Sequence, residues 1–348
     1  MKEINIAFAS DDNFARYCSV AITSLLKQTT NFINLYIIGN LNEHNRLGLI
    51  QTSKKYHNCN LKFINFDTKL LTEFKDIKIN EHLTITTYCR LLSHILFPNL
   101  DKILYIDVDT LILDDVTDFY DTNIEDYLYV GVEDFASEYF KNRFNIDKKY
   151  PYINCGTLLI NLKKLRSFDS FQKMKKFAKE KSNLIQTADQ DIINGCFYDK
   201  IKLISYRYNF YHEHFSKTRA YFHPNNLQDY ENSKNNPCII HFVGKNKPWN
   251  TFIYEHKYTF TWWHYARMTP FYEEILFKNL NSQNRNANNA IDLTLVRETA
   301  NYLKNKITYW RYRLLSKITF GKKRRKYKQK RKELKTRLKQ VRAFLKGK

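Results

Sequence analysis

Lys102-Ile103-Leu104-Tyr105-Ile106-Asp107-Val108-Asp109-Thr110-Leu111-Ile112-Leu113 is the stretch on which the reading of the fold turns. Its first half is an unbroken apolar run of β-branched and aromatic residues, the pattern of a strand buried on both faces. The run ends in Asp107 and Asp109, two carboxylates one residue apart. Open α/β sheets bind ligands just outside the carboxyl ends of their strands. Two acids there repel each other unless a cation lies between them, and hard oxygen ligands suit Mg²⁺ or Mn²⁺, ions that also grip a diphosphate. The stretch therefore predicts a metal-dependent enzyme acting on a phosphate-bearing substrate. A plainer reading stands beside it, because acids after a strand are often turn residues or helix caps.

Haloacid-dehalogenase-type phosphatases also carry an Asp-x-Asp pair after an apolar strand, the first Asp acting as nucleophile. Here Thr110 follows the pair directly, and the pair lies about a third of the way along the chain rather than near its start.

Upstream, Ile4 to Ala9 reads as a strand ending in Ser10-Asp11-Asp12-Asn13. A helix over Phe14–Gln28 follows, with Tyr17, Val20, Ala21, Ser24 and Leu25 spaced three and four apart. A strand over Asn34–Ile38, a helix over Asn42–Tyr56 and a strand over Leu61–Phe66 complete a β-α-β-α-β order, which argues for a doubly wound parallel sheet. The first turn lacks Gly-x-Gly-x-x-Gly, which disfavours dinucleotide binding; Asp11, Asp12 and Asn13 are better placed to read a base or ribose. Residues 84–97 predict a helix leading into the Asp pair. Arg90 stands there among apolar neighbours and needs a partner, either in an ordinary ion pair or in a contact to ligand or to the acids.

Downstream, Leu128–Val132 reads as a strand ending at Glu133-Asp134, and Tyr152–Asn161 as another, entered through Asn154-Cys155-Gly156. Ala188-Asp189-Gln190-Asp191 opens a helix, where an acid can be no more than a cap. Ile239–Val243 is a strand before the Gly/Pro loop Gly244-Lys245-Asn246-Lys247-Pro248-Trp249. His241 could be a packed core histidine. Followed by Gly244 and Lys247, it equally sets a metal ligand, a permissive backbone and a cation within seven residues, as a diphosphate requires.

Composition bounds the rest. The 348 residues can bury a sizeable core, and 43% hydrophobic content with 25 Tyr and 25 Phe marks a globular chain. Six cysteines without CxxC spacing look like buried thiols. The start has no apolar signal segment and no window reaches 18 apolar residues, so a cytoplasmic protein is expected. Net charge is +22, but residues 322–348 hold 15 Lys/Arg and one acid, Glu333, leaving about +8 for the rest. Basicity is a property of the tail, which argues against specific nucleic-acid binding by the core.

Taken in order, Phe8-Ala9-Ser10-Asp11-Asp12-Asn13, Thr86-Thr87-Tyr88-Cys89-Arg90, Leu104 to Asp109, Asn154-Cys155-Gly156, Asp189-Gln190-Asp191 and His241 to Trp249 resemble the family 8 retaining glycosyltransferases, over roughly residues 4–250. That group includes bacterial lipo-oligosaccharide galactosyl- and glucosyltransferases and glycogenin. The resemblance implies a GT-A (nucleotide-diphospho-sugar transferase) fold, α/β with a doubly wound mixed sheet, and Mn²⁺, with Mg²⁺ as substitute, on Asp107, Asp109 and His241. It implies a UDP-sugar donor, with Ala9, Asp11 and Asn13 near the uridine, Gly244 and Lys247 on the diphosphate, and Arg90, Asn154, Asp189 and Gln190 around the sugar. Asp107, Val108, Asp109 and Gly156 complete the donor set, and Asp134 stands where the family has an acid facing the acceptor. Val243 departs from a Cys common in the bacterial sugar-chain enzymes and Lys245-Asn246 varies the loop, which leaves acceptor choice open. Asp189 and Gln190 are the nearest candidates for the catalytic face of the sugar. Retention needs double displacement or same-face attack; since Gln is a poor nucleophile, same-face attack is the expectation.

From about Ile291, Val296, Ala300, Leu303, Ile307, Trp310, Leu314 and Ile318 form one helical apolar stripe flanked by Tyr302, Tyr309 and Tyr312. Tyr327, Leu334, Leu338, Val341 and Leu345 form a thinner second one. Basic amphipathic helices with aromatic residues suit an anionic membrane surface; a partner helix, nonspecific nucleic-acid binding or a solvated tail are the other readings. The expected organisation is a catalytic domain over 1–280 and a basic helical membrane-association tail over 281–348. The expected enzyme moves galactose or glucose from a UDP-sugar to a lipid-linked saccharide such as lipopolysaccharide core, peripheral on the inner face of the cell membrane. The alternatives are the same chemistry on a protein acceptor, or a non-catalytic membrane- or nucleic-acid-binding relative.

Overall fold

Successive side chains of a strand point to opposite faces, and the first strand, β1 (Glu3–Ala9), uses both. Ile4, Ile6 and Phe8 enter one core; Ala7 and Ala9 enter another. A strand with two buried faces needs cover on each side, and the chain supplies it as three layers. The computed structural model describes residues 2–65, 85–211, 226–244, 247–250, 257–286, 305–306, 308–309, 311–317 and 321–346.

The chain continues through α1 (Ala15–Gln28), β2 (Phe32–Ile38), α2 (Glu43–Ser53) and β3 (Cys59–Ile64). After a 3₁₀ segment (Ile85–Leu92) come α3 (Ser93–Leu96), β4 (Lys102–Ile106), β5 (Thr110–Ile112), α4 (Thr117–Tyr120), β6 (Tyr129–Glu133), α5 (Ser137–Phe144) and β7 (Ile153–Asn161). Helices α6 (Leu162–Ser167), α7 (Ser170–Glu180) and α8 (Asp189–Phe197) precede β8 (Ile201–Ile204), α9 (Leu227–Asn235), β9 (Ile239–His241), α10 (Thr259–Ala266) and α11 (Tyr272–Asn286).

Seven strands form the main sheet in the order β3-β2-β1-β4-β7-β6-β8. β1, β2, β3 and β4 are parallel, as the β-α-β-α-β reading requires, and β6 is parallel to β8. The exception is β7, antiparallel to β4 on one side and to β6 on the other. The sheet is therefore mixed, as the family resemblance implied and not wholly parallel as strand–helix alternation alone suggested. The reversal matters for function: it sets the start of β7, Asn154 to Gly156, beside the carboxyl end of β4. The Asp107 N–H donates to the Gly156 carbonyl at 2.8 Å. A register shift between Gly131 and Val132 then brings Val132 opposite Asn154; such bulges re-aim the side chains that follow.

Three stretches differ from expectation. Residues 84–97 were expected as one α-helix; the described part is 3₁₀ over Ile85–Leu92 and α-helical only over Ser93–Leu96. Residues 110–112, read as the continuation of the first stretch, form β5, which pairs antiparallel with β9 in a separate two-stranded sheet. The strand expected through Val243 stops at His241.

The described chain divides into two compact units, Met1–Asn279 and Leu280–Lys348. In the second, a helix spans Gly321–Lys346, and Tyr312 stacks on Tyr327 with ring centroids 5.8 Å apart. Fifteen residues apart on one continuous helix they would lie roughly 22 Å apart, so the chain reverses between them, and Gly321 with φ +61° stands at the start of the Gly321–Lys346 helix. In the first stripe, Val296, Ala300, Tyr302, Leu303, Ile307, Trp310 and Ile318 lie outside the described residues; so do the side chains of Val341 and Leu345 in the second. Leu314 is largely exposed. Among the described residues, no helix is long and apolar enough to cross a membrane.

Candidate active site

β4 delivers the Asp pair to the edge of the sheet. Asp107 and Asp109 lie in the turn to β5, where the Thr110 hydroxyl donates to the Asp107 carbonyl at 2.8 Å. The turn reading of these acids is thus correct as far as it goes. Their side chains remain 22% and 17% exposed, so they can meet a ligand. The pairing of β5 with β9 sets Thr110 opposite His241. His241 Nε2 lies 3.2 Å from Asp109 Oδ1 and 3.8 Å from Asp107 Oδ2. Ligand atoms of the three residues all fall within 4.8 Å of one another. Two carboxylates and an imidazole with Nε2 turned toward them make a donor set that fits a divalent cation.

Cations surround the acids. Lys247 Nζ bonds the Asp109 carboxylate and the Phe242 carbonyl. Burial alone would raise Asp109, but Lys247, in contact with it, outweighs that and holds the carboxyl well below the usual range. Asp107 goes the other way: desolvation and the neighbouring Asp109 raise it, against the pull of Arg90. Arg90 is 5% exposed. It donates through Nη2 to Asp107 Oδ1 at 3.1 Å, through Nη1 to the Cys155 carbonyl, and places Nε 2.8 Å from Asp189 Oδ2. Its guanidinium also lies 4.6 Å above the Tyr105 ring, whose hydroxyl donates to Asp107 at 2.9 Å. The sequence left Arg90 between an ordinary ion pair and a contact to ligand or to the acids; both acids are among its observed partners, with the Cys155 carbonyl beside them.

Asp189 begins α8 and is almost fully buried, and desolvation pushes its pKa up to about 7 despite Arg90. The residue before it, Ala188, adopts φ +51° and ψ −119°, a conformation unfavourable for a side-chain-bearing residue. Asp191 holds that turn from inside. Its carboxylate accepts from the Gln186 and Thr187 N–H groups at 2.6 and 2.8 Å, from Tyr152 at 2.5 Å and from Arg143 at 2.7 Å. The sequence showed Asp191 only as part of a motif, and this anchoring role could not be read from it.

Gln190 is half-buried and bridges: its Oε1 accepts from the Cys155 N–H and its Nε2 donates to Asp134 Oδ2, both at 3.1 Å. Asn154 Nδ2 donates to the same Asp134 oxygen at 3.2 Å. Burial raises Asp134 above the usual carboxylate range against these bonds. Asn209, fully buried and overlooked in the sequence, donates to Asn154 Oδ1 and meets His241 Nδ1, both at 2.9 Å. Gly156 leaves room for His241, since a Cβ there would strike the imidazole ring.

The remaining expected residues lie around this network. Ala9 ends β1, the parallel neighbour of β4, and Asp11 and Asn13 lie in the turn that follows it. Asp11 Oδ1 accepts from the Asn13 and Phe14 N–H groups at 2.9 and 3.0 Å and so closes the turn that leads into α1, while Asn13 is exposed. Val108 is buried in the first core. Gly244 has φ +82°, a conformation glycine adopts freely. Lys245 and Asn246 lie outside the described residues. Beyond them, Trp249 stacks on Tyr17 at 3.9 Å and packs against Trp262 at 5.3 Å. Trp263 Nε1 donates to the Pro248 carbonyl at 2.9 Å, and Asn279 Nδ2 donates to that of Trp249.

A profile described as glycosyl transferase family 8 matches residues 5–252, which contain every residue of this network. The chain belongs to glycosyl transferase family 8. A putative glycosyltransferase of Haemophilus influenzae is 30% identical over 258 residues, covering 71% of this chain and 73% of that protein. General stress protein A of Bacillus subtilis is 26% identical over 281 residues, covering 76% and 94%. The crystal structure of galactosyltransferase LgtC in complex with donor and acceptor sugar analogues matches with TM-score 0.67 and 28% identity, covering 77% of this chain and 96% of that one. This family 8 member thus has the GT-A-type mixed sheet, with its acid pair at the carboxyl edge.

Proposed function

We propose that the protein is a retaining hexosyltransferase that moves galactose or glucose from a UDP-sugar to a lipid-linked saccharide of the lipopolysaccharide-core kind. The observation that carries this is the convergence of Asp107, Asp109 and His241 at the edge of β4, with Lys247 on the Asp109 carboxylate. Asp107, Asp109 and His241 would hold the ion, Mn²⁺ with Mg²⁺ as substitute, which when bound supplies positive charge against the departing diphosphate.

The chain's own residues do the rest. Lys247 adds a second cation, and Gly244 leaves backbone space for phosphate. Ala9, Asp11, Asn13 and Val108 would lie along the nucleoside, and Arg90, Asn154, Gly156 and Asp189 beside the sugar. Asp189 is nearly buried under Arg90, a poor position for a nucleophile. This supports same-face attack: the C1–phosphate bond breaks with its electron pair leaving on UDP, and the acceptor oxygen bonds C1 on the side of departure. The acceptor's proton passes to the departing phosphate. Gln190 and Asp189 steady the cationic sugar, and Asp134, hydrogen-bonded to Gln190, stands toward the acceptor. The basic tail would hold the enzyme on an anionic membrane surface, where such an acceptor lies.

Calorimetric titration of UDP, UDP-glucose and UDP-galactose with and without Mn²⁺, on the native protein and on Asp109→Asn, tests the site. Metal-dependent binding lost in the variant is the expected result, with the tighter sugar nucleotide marking the donor. Binding indifferent to metal, or none, rejects the proposal. A glycosyl-enzyme on Asp189 trapped by rapid-quench mass spectrometry would overturn same-face attack.

A further inference from the structure

Between His241 and Asp134 runs a buried chain of side-chain amides whose hydrogen bonds have only one consistent direction. An imidazole has two neutral tautomers and an amide can face either way, so most such chains can be written in both senses. One backbone group removes the choice. The Gly156 N–H can only donate, and the Asn154 atom 2.9 Å from it must therefore be the carbonyl oxygen Oδ1. That oxygen also lies 2.9 Å from Asn209, which must present its NH₂. Asn209 then has only its carbonyl left for His241, and Nδ1, 2.9 Å away, must carry the proton. In the neutral ring this leaves the Nε2 lone pair facing Asp107 and Asp109. At the other end, the Asn154 NH₂ meets Asp134 Oδ2 at 3.2 Å, an acceptor, so the chain is consistent along its whole length.

We infer that Asn209 is a positioning residue that fixes His241 as the Nδ1–H tautomer with Nε2 free to ligate, and that the Gly156 N–H sets this proton order. Asn209 is fully buried, so bulk water cannot replace it without rearrangement. Outer hydrogen bonds of this kind orient metal-binding histidines and raise their basicity as ligands. The use of Nε2 rests on the metal reading above; the proton order does not.

The experiment separates the two. Long-range ¹H–¹⁵N correlation spectra of the metal-free, full-length protein at mildly alkaline pH report the tautomer, with His241 assigned by its loss in His241→Gln. A pyridine-like Nε2 and a pyrrole-like Nδ1 are expected in the native protein. A protonated Nε2, whether Nδ1 beside it is protonated or not, overturns the inference, and this needs no Asn209 variant to fold. In Asn209→Ala the ring is expected to lose this single tautomer; an unchanged spectrum would show that Asn209 only fills space and would equally overturn it. Mn²⁺ titration followed by electron paramagnetic resonance is expected to show about 10–100-fold weaker binding in Asn209→Ala. A native protein with the expected tautomer but no Mn²⁺ affinity would support the proton order and reject the metal site instead.

Discussion

Asp189 is a carboxyl group kept from water beside a single guanidinium. Its ordinary value is 3.8 and burial pushes it up to about 7. An acid that is easier to protonate folded than unfolded stabilises the fold most at low pH. Its contribution then declines as pH rises from about 4 to about 7 and is level above that. The stability difference between the native protein and Asp189→Asn, from urea denaturation at stepped pH without metal, should fall with rising pH over this window; a flat difference would contradict the assignment. Residues of this kind were unequally legible. Asp107 and Asp109 stood out because only one residue separates them at a strand end. Asn209 did not, since nothing in Tyr206–Phe210 marks it and its role exists only where three separate segments meet.

At the scale of elements, the loop carrying Lys247 is held from behind by aromatic rings. Trp249 lies against Tyr17 of α1 and Trp262 of α10, and the carbonyls of Pro248 and Trp249 are both bonded by side chains from the C-terminal helices of the first unit. Trp249→Ala leaves a cavity and should cost roughly 3–5 kcal/mol of stability. Because Lys247 is two residues away, it should also weaken UDP binding, by denaturation and calorimetry on the same sample. A variant with lowered stability but native affinity would show that the loop is ordered by other means. The strands of the main sheet were readable from apolar runs, which burial on two faces demands. The reversed direction of β7 and the pairing of β5 with β9 were not, because strand direction and long-range partners leave no trace in local periodicity.

For the molecule as a whole, charge and chemistry are divided along the chain. Removing residues 287–348 takes away 21 Lys/Arg and three acids and lowers the net charge from +22 to +4. A chain ending at Asn286 should bind UDP with Mn²⁺ as the full chain does. It should lose salt-sensitive sedimentation with vesicles of anionic lipid, and full-chain binding to neutral vesicles of equal strength would reject electrostatic attachment. The basic tail was legible from composition; its reversal at Gly321 was not, since both stripes fit one long helix as well as two. The small sheet that delivers His241 has a consequence in time. It joins Thr110 to His241, 131 positions apart, so the third residue of the candidate metal cluster arrives only after that long loop has closed. Pairings between distant segments form slowly, and the capacity to bind a divalent cation should reappear with the slowest refolding phase, after tryptophan fluorescence has largely recovered. Mn²⁺ added at successive delays after dilution from denaturant would time it: full affinity at the earliest delays would mean the site closes before the fold does.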